Sequence, residues 1–130
     1  MKTASKKGKG RRLQNHVRDE LLNSFFNTGL EEDDIKTAIM GESGEDIKLS
    51  PAARRVIPYS FECKNQERLN IWSSLKQAED NSNGRTPVLI FKRNRSEVYA
   101  TIKLEEFIKL IGGEIEIRGE NTSGADDSGS

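Results

Sequence analysis

The apolar residues in the first third of the chain recur at helical spacing. Across residues 11–27 they fall three or four positions apart, which predicts a helix with one buried stripe: Leu13, Val17, Leu21, Leu22, Phe25 and Phe26. Thr28-Gly29 ends this helix. Residues 31–34 form an acidic cluster, and they favour a short second helix over residues 35–40 because carboxylates stabilise the N-terminal end of a helix.

The middle of the chain changes to a period of two. Residues 59–64 alternate between apolar and polar side chains, which is typical of a strand with one face in a core. Glu62 and Lys64 therefore point together, away from the apolar face. Residues 46–49 predict a shorter strand that leads into a turn at Ser50-Pro51. Residues 51–58 are expected to be a connection that joins the two strands as a long hairpin.

The remaining pattern alternates helices with strands. Residues 69–78 predict an amphipathic helix, residues 87–91 a buried strand, residues 98–102 its hairpin partner, and residues 104–111 a last short helix. From residue 112 the composition predicts disorder, apart from a possible extended piece at 115–117. The expected fold class is α/β of an α+β-like kind, with a small mixed β-sheet flanked by helices.

Length and composition restrict the classes of protein. A chain of 130 residues has room for one domain with one core. A single cysteine and a single histidine leave no internal disulfide and no Cys/His zinc site. The sequence contains neither the roughly 20 apolar residues that span a bilayer nor a signal-peptide segment. We therefore expect a soluble cytoplasmic protein without a membrane partner.

The net charge of zero is the sum of unlike parts. Residues 1–12 contain six basic and no acidic residues, whereas residues 112–130 are acidic. This distribution predicts a basic flexible arm at 1–10, a folded domain at 11–111 and a disordered, acidic Gly/Ser-rich tail at 112–130. The arm suits a polyanionic partner, because charges farther apart than roughly 10 Å are screened from one another. A merely solubilising segment has the same composition.

Asp46 and Glu62 are the candidate chemical residues. If their strands are neighbours, the two carboxylates repel unless a cation lies between them, and Mg²⁺ takes oxygen ligands of this kind. The backbone carbonyl of Cys63 is placed to add a further oxygen. Lys64 on the same face could hold or deprotonate a metal-bound water, which is the chemistry of phosphodiester hydrolysis. The alternative is an exposed Glu62 and Lys64 pair of little energetic value.

Residues 9–111 resemble the PD-(D/E)XK nuclease superfamily in their order: a helix, Asp46, Glu62-Cys63-Lys64, a helix and a hydrophobic strand. Within it they look most like the small Holliday-junction-resolvase-like enzymes, including those of phages. The resemblance implies a restriction-endonuclease-like core and a homodimer that hydrolyses branched or duplex DNA with Mg²⁺ or Mn²⁺ and no other cofactor. It makes Asp46, Glu62 and the Cys63 carbonyl metal ligands and Lys64 the catalytic lysine. A phage-encoded enzyme would act in the host cytoplasm.

The match departs from the family in two places. Gln14 stands at about the position where such resolvases have a metal-site glutamate on the first helix. Glu45 replaces the proline that usually precedes the motif aspartate. Gln66, two positions beyond Lys64, resembles an extra catalytic glutamine of some members, and it is preferred here to Gln77 on the following helix.

Several basic residues are expected at the DNA backbone, with solvated surface as the alternative: Lys7, Lys9, Arg11, Arg12, Arg54, Arg55 and Arg93. Trp72 is expected in the core or at a dimer interface. Two other functions remain open, namely a site-specific restriction-like or homing endonuclease and a non-catalytic DNA-binding module on a nuclease scaffold.

Overall fold

Helices and short strands alternate along the chain in the computed structural model, which describes the backbone of residues 6–39 and 41–123 and the side chains of this part as far as residue 113. The described elements are α1 (Lys6–Ser24), two 3₁₀ turns (Phe26–Thr28 and Glu32–Asp34), β1 (Ile35–Thr37), β2 (Ile47–Leu49), α2 (Pro51–Val56), β3 (Tyr59–Asn65), α3 (Ile71–Asp80), β4 (Thr86–Lys92), β5 (Tyr99–Thr101) and α4 (Leu104–Ser123). None of the helices in this part is long and apolar enough to cross a membrane.

The strands form two sheets. β3 and β4 are parallel, with Glu62 opposite Leu89, and β5 runs antiparallel to the other edge of β4. Because parallel neighbours need a crossover, α3 lies between β3 and β4 in the chain. β1 and β2 form a separate antiparallel ribbon. The predicted small mixed sheet flanked by helices is therefore confirmed.

The two longer packed helices cover opposite faces of the three-stranded sheet. Leu13 and Val17 of α1 pack with alternate residues of β3 and β4 in the core. α3 packs on β4 and β3 from the other side. Asn70 begins α3, and its side chain accepts a hydrogen bond from the N–H of Ser73 at 3.0 Å, which satisfies an end of the helix that would otherwise lack a partner.

The predicted helix over residues 35–40 is wrong, because residues 35–37 form β1. The acidic cluster makes only a 3₁₀ turn, in which Glu31 and Asp34 cap one another. The next residues alternate between buried and exposed, and Ile35 is fully buried opposite Leu49. The acidic cluster therefore stabilises only this one turn. Pairing with β2 determines the backbone conformation of the residues that follow.

The predicted connection over residues 51–58 contains α2. The Ser50 hydroxyl accepts a hydrogen bond from the N–H of Ala53 at 3.1 Å, and Pro51 occupies the first helical position, where its missing N–H costs nothing. Ser50-Pro51 is therefore a helix start and not a turn. The predicted long hairpin is also absent from the described chain, since β2 pairs with β1.

The two ends of the described chain are helical where flexibility was expected. α1 begins at Lys6, so residues 6–10 of the predicted arm belong to it, and α4 continues to Ser123. The predicted extended piece at 115–117 is helical backbone instead. Residues 1–5 and 124–130 lie outside the described residues, and the division into arm, domain and tail stays a prediction.

Trp72 is 81% exposed, so its predicted place in the core is wrong.

Candidate active site

Asp46 lies where the two sheets meet. Its backbone N–H donates to the carbonyl of Phe61 on β3 at 3.1 Å, and its carbonyl accepts from the N–H of Ala38 at 2.9 Å. Its side-chain Oδ2 accepts from the N–H of Cys63 at 2.7 Å. Three hydrogen bonds therefore fix both the backbone and the carboxylate of Asp46, and they tie the β1–β2 ribbon to β3.

Glu62 lies beside Asp46 on the α3 side of β3, and it is only 3% exposed. Its Oε1 accepts a hydrogen bond from the side-chain amide of Asn81 at 3.4 Å, just after the end of α3. Its Oε2 is 3.8 Å from Nζ of Lys64, which points to the same face of the strand. The structure thus brings Asp46, Glu62 and Lys64 together. The alternation of residues 59–64 predicts the shared face of Glu62 and Lys64, whereas Asp46 reaches β3 without the expected hairpin. The alternative of an exposed Glu62 and Lys64 pair does not describe this buried glutamate.

The burial of this group changes its protonation. Burial, reinforced by repulsion from Asp46, raises the pKa of Glu62 to about 7, against the opposing effects of Asn81 and Lys64. Burial also raises the pKa of Asp46, although the N–H of Cys63 and the charge of Lys64 oppose the rise. Without a cation, the pair therefore retains a proton near neutral pH. A divalent cation between the carboxylates would relieve both the burial cost and the repulsion.

The donor set fits a hard divalent cation. Within a strand, the N–H and C=O of one residue point to the same side, so the carbonyl of Cys63 faces Asp46, as its N–H does. The Cys63 thiol lies in the core, and burial raises its pKa well above the usual range, so the carbonyl is the ligand that Cys63 can offer. Among the described side chains no three His, Cys, Asp or Glu residues cluster as a metal site. Two carboxylates and a carbonyl, completed by water, match the way proteins bind Mg²⁺.

Two grooves open at Asp46, one on each side of β3. The groove on the α1 side, of about 230 Å³, is lined by Lys7, Arg11 and Gln14 together with Asp46. The groove on the α3 side, of about 480 Å³, is lined by Asp46, Asn81 and Gln77 among others. Gln14 of the first helix therefore does reach the candidate site, where its amide can hydrogen-bond a bound water.

The structure reverses the order of the two candidate glutamines after Lys64, since the sequence favoured Gln66 over Gln77. Gln77 shares the α3-side groove with Asp46. Gln66 donates its backbone N–H to the carbonyl of Lys92 and lines a third, more apolar groove that also contains Arg93. Gln77 is therefore closer to the candidate chemistry than Gln66.

The predicted DNA-binding residues are divided among several surfaces. Lys7 and Arg11 lie in the groove with Asp46, whereas Lys9 and Arg12 line another groove of about 670 Å³ on the other side of α1. Arg54 and Arg55 are exposed on α2, which packs on β2 and the second 3₁₀ turn. The described grooves at Asp46 do not include them.

Sequence reasoning missed a buried ion pair directly beside the site. Glu45 Oε2 pairs with a guanidinium nitrogen of Arg85 and accepts a hydrogen bond from the Ser60 hydroxyl at 3.3 Å. Arg85 Nε also donates to the carbonyl of Tyr59 at 3.3 Å. This pair ties the residue before Asp46 to the start of β4. No local sequence pattern predicts this ion pair, because its partners are 40 positions apart in the chain.

Comparisons of this chain with protein-family models, with curated proteins and with solved structures gave no match.

Proposed function

We propose that this protein is a Mg²⁺- or Mn²⁺-dependent DNA endonuclease with a restriction-endonuclease-like core. The observation that carries the proposal is the arrangement of Asp46, Glu62 and Lys64, in which the buried Glu62 carboxyl lies beside the half-buried Asp46 carboxyl and 3.8 Å from the lysine Nζ. Burying the Glu62 carboxyl next to a second carboxyl is costly unless the site binds a cation.

Each residue has a distinct task in this proposal. Asp46 and Glu62 hold the cation, with the Cys63 carbonyl as a third ligand. A bound cation supplies Lewis-acid polarisation of the phosphate and lowers the pKa of a coordinated water. Lys64, on the face of Glu62, holds the attacking water or takes its proton. Gln14 and Gln77 approach from the two grooves and orient water or phosphate oxygens by hydrogen bonds.

The charges around the site support a nucleic-acid substrate. Lys7 and Arg11 line the Asp46 groove, and Lys6, Lys9 and Arg12 lie on the same two turns of α1. Cations at this density neutralise backbone phosphates without reading bases. The connections between the described elements are short and offer no large recognition insertion. Both features favour a substrate chosen by shape, such as a Holliday junction or another branched DNA.

The proposal includes a symmetric dimer, because one chain offers one metal centre and cutting both strands needs two. An exposed apolar stripe on α4 supports the dimer. Its residues fall at helical spacing: Leu104, Phe107, Ile108 and Ile111. The charges beside this stripe have both signs, with acidic residues in the first turn and Lys109 in the next. Antiparallel contact with a second copy would set Lys109 opposite those acidic residues, whereas nucleic acid would be repelled by them.

Cleavage of labelled four-way junction, flap, linear duplex and single-stranded DNA in Mg²⁺, in Mn²⁺ and in EDTA tests the proposal. The purified protein is compared with Asp46→Ala, Glu62→Ala and Lys64→Ala. We expect metal-dependent cutting that all three substitutions reduce by at least about 100-fold while binding is retained. Preference for the junction would support the resolvase-like version, and preference for one duplex sequence the restriction-like version. Intact binding with no cutting of any substrate would make the protein a binding module and overturn the enzyme proposal.

A further inference from the structure

A strongly basic groove lies between α1 and the turn that joins β4 to β5. Its volume is about 670 Å³, more than one phosphate group fills. Of the residues that the structure describes, four cations, one acid and two amides line it: Lys9, Arg12, Lys92, Arg95, Glu67, Asn65 and Asn94. This set, called the turn groove below, draws its cations from α1, the end of β4 and the turn.

The two walls of the turn groove are fixed to one another and to the strand of the candidate site. Asn65 directly follows Lys64 on β3, and its side-chain amide donates to the carbonyl of Lys9 at 3.4 Å. Lys9 and Arg12 fall on one side of α1, while Lys7, Arg11 and Gln14 fall on the side that faces Asp46. α1 therefore separates the turn groove from the candidate active site.

The turn that carries Arg95 is held in one conformation. The carboxylate of Glu67 accepts a hydrogen bond from the N–H of Asn94, and the hydroxyl of Ser96 accepts one from the N–H of Arg93 at 3.0 Å. Arg95 itself has a φ of 63°, a left-handed conformation that residues other than glycine seldom adopt. Surrounding structure that holds such a conformation is frequent where a side chain must be presented to a ligand.

We propose that the turn groove binds the phosphodiester backbone of the DNA at a position away from the phosphate that is cut. This inference rests on the proposed function, because it assigns a second contact of the same substrate. The groove has cations on both walls, which suits a polyanionic strand running between them, and the fork of Arg95 can pair with two oxygens of one phosphate. Glu67 acts as a positioning residue that holds the turn, although its charge alone repels phosphate.

The test is the salt dependence of binding. Anisotropy of a labelled DNA duplex is measured with the full chain in EDTA, so that no cutting occurs, over a range of KCl concentrations. The double variant Lys92→Ala/Arg95→Ala is compared with Lys36→Ala/Lys103→Ala, which removes two exposed cations outside the turn groove and outside the apolar stripe of α4. We expect the first pair to reduce the steepness of log affinity against log salt by about 2, and the control pair to leave it unchanged. Equal slopes for the two pairs would overturn the proposal.

Substitution of Glu67 separates positioning from simple charge. Removing an acid from a phosphate site by itself raises DNA affinity, whereas releasing the turn lowers it. We expect Glu67→Ala to bind the duplex several-fold more weakly than the parent, and Glu67→Gln, which keeps an acceptor for the N–H of Asn94, to bind at least as well as the parent. Unchanged or tighter binding by Glu67→Ala would refute the positioning role of Glu67.

The outcomes also separate this inference from the proposed function. If the parent protein cuts DNA with metal and the two pairs have equal slopes, the turn groove is not a backbone site and the nuclease proposal stands. If the parent protein cuts no DNA but the Lys92→Ala/Arg95→Ala slope is reduced, the groove is a backbone site and the nuclease proposal falls.

Discussion

Oδ2 of Asp46 accepts a hydrogen bond from the backbone N–H of Cys63 at 2.7 Å, which holds one candidate ligand against the strand that carries the other. This hydrogen bond uses the backbone of Cys63, so it does not depend on the Glu62 side chain. Substitutions at Glu62 therefore leave this contact of Asp46 in place, although they also change the interaction between the two carboxyls.

Glu62→Gln should weaken Mn²⁺ binding by at least about 100-fold, because an amide replaces one of two charged ligands. Isothermal titration of the metal into the DNA-free protein measures this. Glu105→Gln, which removes an exposed carboxylate from α4, provides the matched control and should bind as the parent does. An affinity equal to that of the parent would show that Glu62 holds no metal.

Stability without metal should fall as the pH rises from about 4.5 to 7. The pKa of Glu62 is raised from its usual value of 4.5 to about 7 in the folded protein, so the folded state binds more protons than the unfolded state in this window. The favourable contribution of neutral Glu62 is complete below pH 4.5 and is lost above pH 7, a change of up to about 3 kcal/mol. The raised pKa of Asp46 acts in the same direction.

Urea unfolding in a chelating buffer at several pH values from 5 to 8 measures this change. The side chain of Glu62→Gln cannot ionise. The stability of this variant should therefore decline much less with rising pH than the stability of the parent. Parallel pH profiles for the two proteins would contradict the raised pKa of Glu62. Saturating Mn²⁺ should flatten the parent profile at high pH, since a bound cation favours the ionised carboxyls.

The ion pair of Glu45 and Arg85 should matter for stability because both side chains are largely buried. Arg85→Met leaves the charge of Glu45 without its partner, and we expect it to cost about 3 to 5 kcal/mol in urea unfolding. The double variant Glu45→Leu/Arg85→Met removes both charges and should be more stable than Arg85→Met. A double variant that unfolds more readily than Arg85→Met would contradict this explanation.

Much of the fold follows from local patterns, and the errors have physical reasons. The alternation of residues 59–64 and the stripe of residues 69–78 predict β3 and α3, because the apolar residues of each element lie on one face; that α3 also buries Ser60 and Glu62 on the polar face of β3 is not visible in this pattern. Residues 35–37 could not be assigned from the acidic cluster before them, since their pairing with β2 is a long-range contact. The Ser50-Pro51 pair fits both a turn and a helix start, and only the hydrogen bond to Ala53 decides between them.

The grouping of the candidate residues could be predicted from the sequence only in part. Asp46, Glu62 and Lys64 could be proposed together because the charged side chains alternate on one strand and an aspartate precedes it. Asn81 could not be proposed as a site residue from the sequence. Asparagine is common in turns after helices, and Asn81 is 19 positions away from Glu62 in the chain. The nearness of Gln77 rather than Gln66 depends on the packing of α3 over β3, which spacing does not reveal.

The apolar stripe of α4 predicts self-association. Ile108→Glu places a charge in the middle of this stripe, and we expect it to weaken a dimer by at least about tenfold because two such charges would be desolvated in a symmetric interface. Sedimentation across a range of protein concentrations measures it. Val56→Glu, at an exposed apolar position on α2, is the control. A parent protein that stays monomeric with and without DNA would exclude the dimer.

The three hydrogen bonds of Asp46 make this candidate ligand also the seam between the ribbon and the sheet. Any thermal opening of that seam also dismantles the candidate site, so the fraction of molecules competent for chemistry is set by a local opening equilibrium as well as by global unfolding. Amide hydrogen exchange at Asp46 and Cys63, whose N–H groups close the seam, would report that equilibrium directly. The exchange rates of two amides thus report what fraction of the molecules has the site open.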